Sequence, residues 1–167
     1  MRLSGGIIIW ISITLMSLNV SLRLKKRVSL LEETVSFIVN LRLELQFRAD
    51  NLYSLLSSLS ALASCRSLGF ITESKERLKT DCSFSSVWRE TVKYSPLPYK
   101  ADEKEKLISM ADFLGTSDKE TQSELLNLYE EYFMTFLKKA EIENEKYSKL
   151  CVMLGFVSGM GVFIMVV

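Results

Sequence analysis

The sequence predicts an all-α protein in which a cytoplasmic bundle of five or six helices is flanked by an N-terminal and a C-terminal transmembrane helix. Two uncharged stretches at the ends of the chain, Leu3–Leu22 and Leu150–Val167, predict the flanking helices. Between them, apolar residues recur every three or four positions, and no alternating strand pattern or hairpin turn signal interrupts that spacing. We therefore expect three parts: residues 3–22, residues 23–149 and residues 150–167.

The first uncharged stretch is followed at once by a basic cluster, formed by Arg23, Lys25, Lys26 and Arg27. Only Met1 and Arg2 precede the stretch, and Ser17-Leu18-Asn19 is a poor cleavage site. An anchor is therefore favoured over a cleaved secretory signal, which is the alternative. Four more bases precede the second stretch: Lys138, Lys139, Lys146 and Lys149. The positive-inside rule then places the central domain in the cytoplasm.

The second uncharged stretch has the length of a membrane crossing. As a helix its eighteen residues would rise about 27 Å, close to the ~30 Å thickness of the hydrocarbon layer. A long buried core helix is the alternative. Small or polar residues in both stretches predict helix packing, either between the spans or against other membrane proteins, and plain lipid-facing anchors are the alternative. These residues are Ser12, Asn19, Gly155 and Gly159.

The central region predicts a succession of amphipathic helices. Their expected extents, in chain order, are Arg27–Arg48, Leu52–Leu62, Phe70–Lys79, a helix that begins at Ser83 or Ser85 and has Trp88 on its inward face, and Ala101–Leu114. A loop with the only two prolines, Pro96 and Pro98, precedes the last of these. A long helix then begins near Ser117. Its apolar face is expected to be formed by Leu125, Tyr129, Tyr132, Phe136 and Ala140.

The turn before the long helix is the first candidate partner-binding surface. Gly115 is expected to end one helix, and Ser117 with Glu120 three residues later predicts a capping box that begins the next. Because a turn that projects from rigid helices presents its polar groups well, Gly115, Ser117 and Asp118 are the candidate partner-binding residues. Plain helix punctuation is the alternative, and the capping signals favour it.

Two charged segments are further candidate surfaces. The run Asp102–Lys106 could meet a charged face of a partner, and a solvated first helical turn is the alternative. The basic cluster could hold anionic lipid headgroups, although topology alone explains it equally well.

The composition argues against an enzyme. The chain has no histidine, which excludes histidine-based triads and metal sites, and it has no Walker A loop or GxGxxG motif. We expect no catalytic residues, no bound cofactor or metal, and no nucleic-acid partner. Three cysteines without CxxC spacing, Cys65, Cys82 and Cys151, indicate a reducing compartment. A Cys65–Cys82 bridge is the alternative.

Four segments carry a resemblance to a known family. They are Phe113-Leu114-Gly115-Thr116-Ser117-Asp118, Thr121-Gln122, Glu145-Lys146-Tyr147 and Leu154-Gly155-Phe156-Val157-Ser158-Gly159. With these segments the sequence resembles the stage III sporulation protein AB family of spore-forming bacteria. The resemblance covers the whole chain in layout, and its specific part is the C-terminal half.

The resemblance implies a subunit of the transenvelope channel between mother cell and forespore. Members of this family sit in the outer forespore membrane and face the mother-cell cytoplasm. Their cytoplasmic domain is similar to the platform protein of type II secretion and type IV pilus machines. The implied partners are a cytoplasmic secretion-type ATPase, stage III sporulation protein AA, together with other channel membrane proteins and the lipid bilayer.

A membrane-tethered helical scaffold is the alternative function. Such a scaffold would self-associate through the long C-terminal helix, and sustained heptads would favour it. The apolar stripe breaks at Glu141–Glu145, so the platform function is preferred. A homo-oligomer is compatible with either function.

Overall fold

The computed structural model describes residues 2–47, 52–62, 65, 67–79, 83–114 and 118–166. These residues form six α-helices and a short 3-10 turn, and they contain no strand. The elements are α1 (Arg2–Phe47), α2 (Leu52–Ala61), α3 (Gly69–Arg77), α4 (Phe84–Tyr94), α5 (Ala101–Ser109), the 3-10 turn Met110–Asp112 and α6 (Lys119–Val166). The predicted all-α fold is therefore confirmed for the described part of the chain.

The chain divides into two compact units. We call Leu30–Leu137 the central unit, and Met1–Ser29 together with Lys138–Val167 the terminal unit. The helices α2 to α5 belong wholly to the central unit, whereas α1 and α6 contribute residues to both units. Cys65 is buried in the central unit, while Cys82, its partner in the alternative disulfide, lies outside the described residues.

Both uncharged stretches lie within helices, residues 3–22 in α1 and residues 150–166 in α6. No glycine or proline occurs between Gly6 and Gly69, so no helix-breaking residue ends α1 at the basic residues that follow Leu22. The side chains of most residues in the two predicted spans lie outside the described part of the structure. Among the residues that the structure does describe, no helix combines the length and the apolar character that a membrane crossing needs.

The core of the central unit is built around Trp88 on α4. Its side chain is 0 % exposed. The Phe37 ring is stacked on it at a centroid distance of 5.9 Å, and the Phe70 ring meets it edge-on at 5.4 Å. The indole N–H donates a hydrogen bond of 2.7 Å to the backbone carbonyl of Leu107 on α5. Four helices therefore meet at one indole, and the predicted inward position of Trp88 is confirmed.

The buried face of α6 is shifted from the predicted one. Leu126 and Phe133 are fully buried, whereas the predicted Tyr132 is 39 % exposed, with the Lys106 ammonium 4.5 Å from its ring centroid. Leu125 is half-buried. Leu125 is adjacent to Leu126, and Tyr132 is adjacent to Phe133. The apolar spacing along the helix fits either residue of each pair. Phenylalanine takes the buried position because it has no hydroxyl to hydrate. The remaining predicted positions are buried or half-buried: Tyr129, Phe136 and Ala140.

Tyr99 fastens the proline-bearing loop to α1. Its hydroxyl lies 2.7 Å from the Thr34 hydroxyl, and the two share a hydrogen bond. The Tyr99 side chain is half-buried, and so is this hydrogen bond. This burial raises the pKa of Tyr99 well above its ordinary value; the bond to Thr34 opposes the shift, and the Glu103 and Glu33 carboxylates add to it. The phenol is therefore held protonated in the folded chain.

The ionisation of Tyr99 predicts a loss of stability at alkaline pH. In an unfolded chain a tyrosine ionises near pH 10, whereas the pKa of Tyr99 in the folded chain is higher. Because the folded pKa is the raised one, the stabilising contribution is fully present below about pH 10 and is lost as the pH rises further. We expect the Tm of the full chain to fall more steeply above about pH 10 than the Tm of Tyr99→Phe. Parallel Tm curves for the two proteins would contradict this assignment.

Candidate functional site

Asp118 caps the N-terminus of α6. Its Oδ2 accepts a hydrogen bond of 3.1 Å from the backbone N–H of Thr121, and its Oδ1 accepts one of 2.8 Å from the Thr121 hydroxyl. These bonds, the backbone one first, lower the pKa of Asp118 because they favour the charged carboxylate. The result is a fully exposed negative charge that is held in place at the first turn of α6.

The cap lies one residue later than the sequence predicts. With α6 beginning at Lys119, Asp118 occupies the capping position and bonds the third helical residue, as N-caps do. The predicted cap, Ser117, and Gly115 before it lie outside the described residues. Of the three predicted partner-binding residues, the structure therefore describes Asp118, and it gives that residue a role in starting the helix.

A groove of about 410 Å³ lies next to the start of α6. Its lining comes from the end of α1 and the first turns of α6: Leu45, Gln46, Lys119, Glu120, Ser123 and Glu124. The Gln46 amide donates a hydrogen bond of 2.9 Å to the Ser123 hydroxyl. Nearby on α1, the Arg42 guanidinium donates to Asn127 at 2.8 Å and lies 3.0 Å from the Glu130 carboxylate. We call Asp118 and the six lining residues the capped-end surface.

The capped-end surface is rich in carboxylates. Asp118, which precedes α6, and Glu120 and Glu124 on α6 are exposed, and Lys119 is the one base among the seven residues of the surface. The sequence predicts the turn. It does not predict the contribution of α1, because the last residues of that helix are more than 70 positions away along the chain from the first turns of α6. Such a surface is suited to contact with a basic partner.

The charged run Asp102–Lys106 is largely engaged in local structure. Glu103 is buried, and its Oε2 accepts a hydrogen bond of 2.8 Å from the backbone N–H of Lys100. The Lys104 ammonium donates a bond of 3.1 Å to the Ser95 carbonyl. These contacts begin α5 and attach it to the preceding loop, so the run is a weaker candidate for partner binding than the capped-end surface.

The members of the basic cluster differ in their surroundings. Arg27 donates a hydrogen bond of 2.6 Å to the Glu143 carboxylate within the terminal unit. The two side chains are 10 % and 33 % exposed, so this ion pair is largely buried. Arg23, Lys25 and Lys26 are exposed. The sequence does not predict the pair, because 116 positions separate its two members.

The predicted packing residues all lie in helices: Ser12 and Asn19 in α1, Gly155 and Gly159 in α6. Ser12 and Asn19 are exposed within this chain, and the Asn19 amide donates a hydrogen bond of 3.1 Å to the Leu15 carbonyl one turn earlier. Packing of these four residues against another helix stays a prediction. A link that the sequence does not predict joins the hydroxyls of Ser21 on α1 and Ser148 on α6 by a hydrogen bond.

Comparison with protein families gives a match over nearly the whole chain. The family model of stage III sporulation protein AB matches residues 2–167. No curated protein and no solved structure matches the chain. The family indicated by the four sequence segments is thereby confirmed.

Proposed function

Because the chain belongs to the stage III sporulation protein AB family, we propose that it is the membrane platform subunit of a secretion-like channel between mother cell and forespore. A role in sporulation follows from the family itself. The match over residues 2–167 is the observation that carries the proposal. In this function the chain acts by binding other proteins, not by catalysis, and it uses no cofactor.

The proposed membrane spans are residues 3–22 and 150–167. The support comes from the chemistry of the sequence, since both stretches are uncharged and basic residues border each of them on the side of the central domain. The proposed location is the outer forespore membrane, with residues 23–149 in the mother-cell cytoplasm. Other channel membrane proteins would contact the spans, with Ser12, Asn19, Gly155 and Gly159 as the proposed contact residues.

The proposed partner of the central domain is a cytoplasmic secretion-type ATPase, stage III sporulation protein AA, and the proposed docking site is the capped-end surface. Asp118 contributes a charge held by its bonds to Thr121. The contacts of Arg42 with Asn127 and Glu130 hold α1 against α6 beside it. Charges on two helices that are held together in this way favour binding of a complementary basic surface and discriminate against other partners.

Reversing the charge of Asp118 is expected to weaken ATPase binding about tenfold. Binding would be measured between the purified ATPase and the full chain in lipid nanodiscs. Asp118→Lys removes both the charge and the helix cap, whereas Asp118→Asn keeps a capping side chain and removes the charge alone. If the partner recognises the charge, both variants bind more weakly than the unmodified chain.

Asp102→Lys is the matched control for this experiment. Asp102 is also an exposed acid in the first turn of a helix, but it lies on α5, outside the capped-end surface. Unchanged binding by Asp118→Lys, or an equal loss in Asp102→Lys, would exclude the capped-end surface as the docking site. Absence of binding in every form, together with self-association of the chain, would favour the tethered scaffold.

One observation favours the scaffold as a second candidate function. Leu128 and Ile142 are large apolar side chains exposed on α6, fourteen positions apart. The heptad position between them is Thr135, and Lys139 follows on the same stripe. Because these polar residues interrupt the seam that a coiled coil needs, we prefer the platform function.

A further inference from the structure

An open groove in the terminal unit combines apolar walls with two lysines. Residues of α1 and α6 line it, and its volume is about 590 Å³, within the range of about 300–1,000 Å³ found for small-molecule sites. We propose that this groove, which we call the basic groove, binds an anionic phospholipid through its phosphate headgroup and the adjoining acyl chain. The inference rests on the proposed membrane location of the chain.

The apolar part of the basic groove consists of Leu18 and Leu22 on α1 and Met153 on α6. All three side chains are exposed within the chain. They belong to the inner ends of the two uncharged stretches, which is where we place the boundary between hydrocarbon and water. Covering these side chains with an acyl chain removes apolar area from water, which is favourable. A water-soluble phosphate compound would gain nothing from this wall.

The polar part consists of Lys25 on α1 and Lys149 on α6, together with Ser21 and Ser148. The two serine hydroxyls are hydrogen-bonded to each other, which links the helices at this level. An ammonium group binds phosphate as a compact charge with three donors. Two lysines from two helices can therefore neutralise a single phosphodiester next to an apolar wall.

The charges around the basic groove favour an anion. Residues 23–29 and 138–149 contain eight basic and three acidic residues. Of these acids, Glu145 pairs with the groove residue Lys149 at 3.4 Å, and the two side chains are 77 % and 76 % exposed. Because so exposed a pair contributes little stability, a phosphate can take the place of Glu145 beside Lys149.

The structure separates this site from the rest of the basic cluster. Lys25 is the cluster member that lines the basic groove. Arg27 instead donates to Glu143 in the largely buried ion pair. Basic pockets between membrane helices on the cytoplasmic side are the places where anionic headgroups bind. The basic cluster as a whole therefore sets the orientation of the chain in the membrane, while Lys25 together with Lys149 forms a specific lipid site.

The test is a competition between lipids on the full chain. The protein is purified in a mild detergent and mixed with equal amounts of phosphatidylglycerol and phosphatidylcholine that carry the same acyl chains. Native mass spectrometry then counts the bound lipids of each kind. We expect phosphatidylglycerol adducts to exceed phosphatidylcholine adducts about tenfold, and the double variant Lys25→Ala/Lys149→Ala to remove this preference.

The matched control is Lys26→Ala/Lys146→Ala. It removes the same charge from the same two helices, but both lysines lie outside the lining of the groove. This control should keep the preference, and an excess of glycerol 3-phosphate, a water-soluble phosphate compound without acyl chains, should not displace the lipid. Equal loss in the two double variants, no preference in the unmodified chain, or full displacement by glycerol 3-phosphate would each overturn the proposal.

Alkaline extraction of membranes that contain the full chain distinguishes the failure of this inference from the failure of the proposed function. A chain that is released from the membrane by this treatment has no spans, which overturns the platform function and the lipid site together. A chain that stays in the membrane but shows no preference for phosphatidylglycerol overturns the lipid site and leaves the platform function standing.

Discussion

Replacing Trp88 with alanine is expected to destabilise the central unit by about 3–5 kcal/mol. The fully buried indole packs against Phe37 and Phe70 and donates its N–H to the Leu107 carbonyl. Alanine leaves a cavity where four helices meet and removes the hydrogen-bond donor of that carbonyl. At about 4 °C per kcal/mol for a unit of this size, the Tm should fall by at least about 12 °C. Helical circular dichroism of the full chain in detergent measures this change.

Two further variants separate the contributions of Trp88. Trp88→Phe keeps most of the apolar area but removes the N–H, so its cost should be smaller, about 1–3 kcal/mol. Tyr94→Ala removes an aromatic side chain from the same helix at a position that is 75 % exposed, and we expect it to change the Tm by no more than about 2 °C. If Trp88→Ala also changed the Tm by no more than about 2 °C, the indole would not be the centre of the core.

Replacing Glu143 with alanine is expected to destabilise the terminal unit by about 2–3 kcal/mol. Arg27, its partner, is only 10 % exposed, so its charge stays away from water after the carboxylate is gone. The estimate is below the full cost of breaking a buried pair because Glu143 itself is 33 % exposed. Amide hydrogen exchange of the full chain in detergent should show protection factors at least about 30-fold lower in residues 23–29 and 138–149.

The Arg27–Glu143 pair is expected to be asymmetric. Arg27→Met keeps the apolar stem and leaves Glu143, which water can reach, so its cost should be nearer about 1 kcal/mol. Glu145→Ala is the matched control, since the Glu145–Lys149 pair on the same helix is more than three-quarters exposed. We expect a change below about 0.5 kcal/mol in that control. If amide exchange were equal in Glu143→Ala and Glu145→Ala, the Arg27–Glu143 pair would contribute no more stability than the exposed Glu145–Lys149 pair.

The helices and their inward residues could be predicted where the sequence carries a local signal. The apolar spacing predicts helices in the described regions, and Trp88 lies inside as expected. The rotation of α6 could not be predicted to within one residue, because Tyr132 and Phe133 are adjacent and both apolar. The Lys106 ammonium lies 4.5 Å from the exposed Tyr132 ring, a contact with a different helix that the residue spacing along α6 does not contain.

The candidate sites were less predictable than the helices because they join distant parts of the chain. Asp118 could be predicted as a surface residue, but the groove beside it needs Gln46 from α1. Lys25 and Lys149 each belong to a charged run with a topological explanation, and nothing in either run indicates that they line one groove. Helical periodicity predicts which residues share a face of one helix, but it does not predict which other helix that face packs against.

The burial of Trp88 also provides the protein with its own optical reporter. The chain contains two tryptophans, Trp10 and Trp88. A Trp10→Phe variant would leave a single tryptophan, enclosed by aromatic rings in the central unit, so its emission would be blue-shifted and would move to the red when that unit opens. If the proposed ATPase docks at the capped-end surface, a red shift of the emission on docking would report loosening of the core, and an unchanged emission would report docking without it.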